Sequence, residues 1–163
     1  METNGKSLQE LYINCKASDL SIDKYCPNLK KLCVLFKKNE LDMLKIIFNS
    51  CQYLEGIVID CGINGLNEKE VLETVAKYSP KNFYELKLHN PELFPEDLES
   101  FLISWKNRES KKSISLIIVN GYYGYYNDIG VNGESMKIIE KYKNLGVIKK
   151  FETRKYCDEE MYL

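Results

Sequence analysis

One short pattern recurs along the chain: apolar, two residues, apolar, one residue, apolar. It reads Leu8-Gln-Glu-Leu11-Tyr-Ile13, Leu29-Lys-Lys-Leu32-Cys-Val34, Leu54-Glu-Gly-Ile57-Val-Ile59 and Phe83-Tyr-Glu-Leu86-Lys-Leu88. Two weaker copies follow, Ser113-Ile-Ser-Leu116-Ile-Ile118 and Ile148-Lys-Lys-Phe151-Glu-Thr153. The period of two at the end of each copy predicts a β-strand. Six strands are expected near 8–14, 29–35, 54–60, 83–89, 113–119 and 148–154. The spacing between copies lengthens along the chain, and a self-similar unit of this size is the mark of a repeat architecture. The second position after the third apolar residue is Cys15, Phe36, Cys61, Asn90, Asn120 and Lys155, a place where a side chain can plug the turn after a strand.

Between strands the apolar period changes to that of a helix. Leu41, Leu44, Ile47 and Phe48 share one face, as do Val71, Leu72, Val75 and Ala76. Leu98, Phe101, Leu102 and Trp105 form a third stripe, with Trp105 expected in the core; Ser135, Met136, Ile139 and Tyr142 form a fourth. Helix starts are signalled by Asn39 ahead of Glu40 and Asp42, by Asn67 with Glu70 three residues on, and by Pro95 in a first turn. The segment Ala17 to Tyr25 is too short for more than one turn or an irregular bend.

Strand–helix alternation with right-handed crossovers gives a parallel sheet. Two arrangements fit, a doubly wound sheet with helices on both faces and a curved solenoid with helices outside only. Strands covered on both faces read as unbroken apolar runs. Here Glu10, Tyr12 and Asn14 alternate with Leu11 and Ile13, and Glu85, Lys87 and His89 alternate with Leu86 and Leu88. That leaves one sheet face in water and favours the solenoid. Leu32 to Phe36, Ile57 to Ile59 and Leu116 to Val119 are unbroken runs and point the other way.

Composition adds exclusions. The 163 residues suit one domain, and 44% hydrophobic with 29% charged residues is the balance of a folded globular chain. Basic and acidic residues nearly cancel, at 23 and 24, and Lys30-Lys31, Lys37-Lys38 and Lys111-Lys112 are scattered pairs; no nucleic-acid track is expected. No apolar run reaches membrane-spanning length, and METNGKSLQE lacks the apolar core of a secretory signal, so a cytoplasmic or nuclear location without membrane contact is expected. The six cysteines include no C-x-x-C pair and there is one histidine, so no zinc site and no other cofactor is expected, and the cysteines read as small buried apolar residues. Gly62-Ile-Asn-Gly65 has neither G-x-G-x-x-G nor the lysine of a phosphate loop and reads as a strand-to-helix turn.

The segment Cys26-Pro-Asn-Leu29-Lys-Lys-Leu32, its copy Cys51-Gln-Tyr-Leu54-Glu-Gly-Ile57 and the stretch Lys143 to Phe151 resemble a leucine-rich-repeat array. They are most similar to the repeat region of fungal-type F-box/leucine-rich-repeat proteins. That resemblance spans nearly the whole chain. It implies the target-holding part of a substrate receptor of a cullin-based, SCF-type ubiquitin ligase. The F-box expected upstream is absent from this chain. The resemblance therefore carries over the repeats, and contact with the ligase adaptor is expected only where a longer product supplies an F-box.

In such an array the helix-free, concave sheet face serves recognition. Alternation assigns to it Tyr12 and Asn14, Cys33 and Leu35, Val58 and Asp60, Lys87 and His89, Ile117 and Val119, and Glu152 and Arg154. An exposed apolar patch of Leu35, Val58, Ile117 and Val119 is expected in its middle. The Tyr-rich stretch 121–130 reads as a variable insertion with the composition of a binding loop. No nucleophile–base pair, metal cluster or phosphate cradle stands out, so the expected function is recognition of a target protein on the concave face, without catalysis. The rival readings are a small doubly wound α/β enzyme or nucleotide-binding domain, and a degenerate repeat fragment.

Overall fold

A computed structural model describes residues 8–16, 27–121 and 131–155. All six predicted strands form: β1 (Glu10–Lys16), β2 (Lys31–Leu35), β3 (Gly56–Asp60), β4 (Glu85–His89), β5 (Ile114–Asn120) and β6 (Ile148–Lys155). They make one parallel sheet in the order β1-β2-β3-β4-β5-β6. The order never reverses, so the sheet has no switch point of the kind that opens a crevice in doubly wound folds.

Strands 2 to 5 begin one to two residues later than the apolar pattern suggests. The first apolar position of a repeat is a core plug ahead of the strand: Leu29, Leu54 and Phe83 are fully buried in the approach turn. The residue after each plug turns its carbonyl toward the next strand. Gln9 O accepts from Lys30 N and Lys31 N, Lys30 O from Glu55 N and Gly56 N, and Glu55 O from Tyr84 N and Glu85 N. One backbone joint is thus repeated from strand to strand.

Four helices connect the later strands: α1 (Leu41–Ser50), α2 (Glu68–Tyr78), α3 (Pro95–Lys106) and α4 (Gly133–Asn144). The Asn67 side chain accepts from Glu70 N at 3.1 Å and caps α2, and Pro95 opens α3. At α1 the cap position is Glu40 rather than Asn39, and it makes no side-chain capping bond. Asn132 caps α4 through Ser135 N at 2.8 Å, a signal the apolar pattern did not flag.

One continuous core lies between these helices and one face of the sheet. It joins Leu32, Val34, Ile57, Ile59, Leu86, Leu88, Leu116 and Ile118 of the strands to Leu44, Phe48, Leu72, Val75, Leu98, Leu102, Ile139 and Tyr142 of the helices. Phe83 centres an aromatic chain, 5.5 Å from Phe48 and 6.2 Å from Trp105 between ring centroids, both edge-on. Trp105 is buried as expected, and Met136 of the fourth stripe is 38% exposed. Arg108 closes this end, stacked 4.2 Å over the Trp105 ring and donating to Ser79 Oγ and Ser79 O at 2.6 Å each. Burial lowers the Arg108 pKa from its ordinary value. No described helix is long and apolar enough to cross a membrane.

Candidate functional site

The opposite sheet face carries the alternate residues of every strand, and parallel register lines them up in rows. One row is complete across all six strands: Tyr12, Cys33, Val58, Lys87, Ile117 and Glu152. A second row joins Asp60, His89, Val119 and Arg154. At the β1 end the strand pairing is irregular. The register slips between Tyr12 and Lys16, so Lys16, not Asn14, stands opposite Leu35. A slip within a strand is invisible to a pattern that assumes strict period two. The Asn14 side chain lies outside the described residues.

Exposure along the face is uneven. Leu35 is 43% exposed, and Tyr12, Cys33, Val58, Asp60, Lys87, His89, Glu152 and Arg154 are half-buried. Ile117 and Val119 are only 4% and 1% exposed. The expected apolar patch therefore does not extend to β5. It is confined to the β1–β3 half, around Tyr12, Cys33, Leu35 and Val58. In register, Ile117 is flanked by Lys87 and Glu152, and Val119 by His89 and Arg154, so the two apolar residues sit between long polar side chains. β5 is buried on both faces, in keeping with its unbroken apolar run.

A third row, not singled out by the sequence pattern, runs Lys31, Gly56, Glu85, Ser115 along the start of the strands. Lys31 Nζ donates to Glu85 Oε1 at 3.0 Å, although β3 lies between their strands. Two strand spacings span roughly 10 Å. The two side chains meet over Gly56, where an added Cβ would lie 3.2 Å from Glu85 Cβ and 3.3 Å from Glu85 Oε1. Burial pulls the Lys31 pKa down, but the hydrogen bond and charge of Glu85 outweigh it and the pKa is raised. Tyr12 is raised as well, first by burial and then by Glu10. At the other edge Glu152 accepts from Arg154 at 2.6 Å and pairs with Lys150 at 2.7 Å. Its carboxyl is held below the ordinary value by the hydrogen bonds of Lys150 and Arg154. These charges also blunt an edge strand against non-native pairing.

At the strands' C-terminal ends, successive loops are stitched by side chains. Asn90 Oδ1 accepts from Gly121 N at 3.2 Å and Glu68 Oε1 from Glu92 N at 2.9 Å, while Asp60 Oδ1 accepts from Gly62 N at 3.0 Å within its own loop. Asn90 adopts the left-handed φ of +50° that asparagine tolerates. The plugging role expected of the post-strand position is thus performed by Asn90, while Phe36 and Cys61 fill the same position as buried apolar groups. Burial raises the Cys61 thiol well above its ordinary value. Gly62 to Gly65 forms the expected turn into the Asn67 cap, and Gly65 packs directly on the Asp60 backbone where no side chain fits. Cys33, Cys51 and Cys61 are thiols outside any disulfide. Among the described residues, no group of three metal-ligating side chains converges. The Tyr-rich residues 122–130 lie outside the described residues.

No family model, curated protein or solved structure matches this chain.

Proposed function

We propose that the chain is a protein-recognition module of the leucine-rich-repeat kind, its units stacked as a solenoid. In this reading the helix-free sheet face reads a target protein. The observation that carries it is the six-strand row Tyr12, Cys33, Val58, Lys87, Ile117 and Glu152, held in one register by a sheet whose strands run in chain order. A rigid ribbon of aligned side chains suits recognition of an extended protein surface at low ordering cost. Tyr12, Leu35 and Val58 supply apolar contact. Asp60, Lys87, His89, Glu152 and Arg154 supply polar contact and orientation. The buried Ile117 and Val119 shape the surface rather than touch the target. The resemblance to F-box/leucine-rich-repeat proteins makes presentation of a target to a cullin-based ubiquitin ligase the cellular role that fits this reading.

The test is affinity capture with quantitative mass spectrometry, comparing the wild-type chain with Lys87→Glu and Tyr12→Ala. Both variants alter half-buried residues of the bare face and should melt as the wild type does. The reading expects a defined partner to be captured by the wild type and lost from both variants. A partner set identical in all three proteins would refute it.

A further inference from the structure

A second surface stands apart from the ribbon, on the rim where the strands end and the next helices begin. Ile63, in the loop after β3, is 67% exposed, and Phe94, in the loop after β4, is 53% exposed. Both present apolar area to solvent on adjoining loops. The loops are held firmly. Glu92 N donates to Glu68 Oε1, which ties the Phe94 loop to the first turn of α2, and Cys61 N donates to His89 O between the strand ends. Gly65 N bonds to Gly62 O at 2.8 Å beneath Ile63, and Phe94 sits between Leu93, buried to 4%, and Pro95. The two apolar groups are therefore displayed on a preorganised frame, which lowers the entropy cost of docking.

The charge of these two loops is predominantly acidic. Residues 62–70 and 90–97 carry five carboxylates, Glu68, Glu70, Glu92, Glu96 and Asp97, against one lysine, Lys69, which itself pairs with Asp97 at 3.2 Å. The whole chain is nearly neutral at −1, so these two loops hold a local acidic excess; the adjoining loop and helix start after β2 are balanced, Lys37 and Lys38 against Glu40 and Asp42. Glu68, Glu70, Glu96 and Asp97 complement the N-termini of α2 and α3. Helix-end charge does not account for Glu92, which lies outside both helices, nor for the exposure of Ile63 and Phe94.

We propose that this rim docks a basic amphipathic segment of a partner protein, whose apolar side chains seat on Ile63 and Phe94 and whose lysines or arginines pair with Glu70, Glu92 and Glu96. The acidic field opposes nucleic acid, anionic lipid and acidic peptides, and steers a basic segment toward the apolar pair. The surface is separate from the sheet-face ribbon, so a target and a basic segment can be held together.

The probe is a short fluorescein-labelled peptide of alternating leucine or phenylalanine and lysine, titrated with the full chain by fluorescence anisotropy. Two control peptides replace every lysine by glutamate, or every leucine and phenylalanine by serine. The basic amphipathic peptide should bind with an affinity that falls as salt rises, and both controls should bind about tenfold more weakly or worse. Phe94→Ser and Glu92→Lys should each weaken binding by about tenfold, whereas Lys87→Glu on the sheet face should leave it unchanged. Failure of the basic peptide to bind, equal binding of the glutamate peptide, or loss of binding in Lys87→Glu with retention in Glu92→Lys would overturn the proposal. Glu92 is exposed and its bond to Glu68 is made by its backbone N–H, which a lysine also supplies, so its variant serves even where Phe94→Ser melts early.

Discussion

Leu86 and Lys87 are consecutive residues of a central strand that face opposite ways, and the contrast between them tests the register of the sheet. Leu86 is fully buried and stands between Ile57 and Leu116 on the helix side; Lys87 is half-buried and stands between Val58 and Ile117 on the opposite side. Replacing Leu86 by alanine removes buried methyl groups and leaves a cavity beneath α2 and α3. Such truncations cost about 2–5 kcal/mol. For a domain of this length each kcal/mol moves the melting temperature by about 2–4 °C, so a loss of about 3 kcal/mol lowers it by about 6–12 °C. Leu86→Asp places an unpaired carboxyl in the same site, and the penalty reaches a large share of the about 5–15 kcal/mol that holds a typical domain together. That variant should be unfolded or close to it at room temperature. Lys87→Asp, one residue on, should change stability by less than about 1 kcal/mol. The assay is thermal and urea unfolding followed by circular dichroism. Unchanged melting in Leu86→Asp, or a collapse in Lys87→Asp equal to that of Leu86→Asp, would refute the register.

Three further outcomes are expected. Gly56→Val drives a side chain into Glu85 and separates it from Lys31, and should lower stability by about 1–3 kcal/mol in urea unfolding; wild-type stability in that variant would argue against the three-strand bridge. Cys33 should be alkylated before Cys51 and Cys61 at mildly alkaline pH, because Cys33 is half-exposed while Cys51 is buried and burial suppresses the Cys61 thiolate; peptide mapping that finds Cys61 labelled first would contradict the packing. Glu152 should titrate below the ordinary value of 4.5, so the stabilising contribution of its ion pairs is present above that pH and is lost as the pH falls through its lower folded value. Arg154→Ala should move that titration upward in a carboxyl NMR experiment, and an unmoved titration would show that the pairing does not form.

The fold was legible because each repeat alternates between two periods that answer to different physics. Strand residues such as Leu86 and Leu88 face one way and Glu85, Lys87 and His89 the other, while Val71, Leu72 and Val75 turn together on a helix face. The strand starts were misplaced by a residue or two because Leu29, Leu54 and Phe83 are apolar for another reason: they plug the core from the turn. Five of the six members of the aligned row were each found by alternation alone in half-exposed positions. The sixth, Ile117, belongs to the row in register but not in exposure, since burial depends on what surrounds a strand and not on its own period. The Lys31–Glu85 bridge joins residues 54 apart in sequence over a glycine of a third strand, and no local spacing encodes it. The acidic rim was hidden for a related reason: its carboxylates come from two separate segments and cancel in the net charge.

The most direct test of the central claim, strands side by side in chain order with alternate residues on the face opposite the described helices, is proximity cross-linking from Cys33. A short bifunctional thiol reagent should link Cys33 to the thiol introduced by Val58→Cys, its register partner one strand spacing of about 4.8 Å away. It should not link Cys33 to Ile57→Cys, which faces the helices, nor to Glu152→Cys, four strand spacings or roughly 19 Å distant. Peptide mapping that finds the Glu152→Cys link at a yield equal to that of Val58→Cys, or no Val58→Cys link at all, would contradict the account.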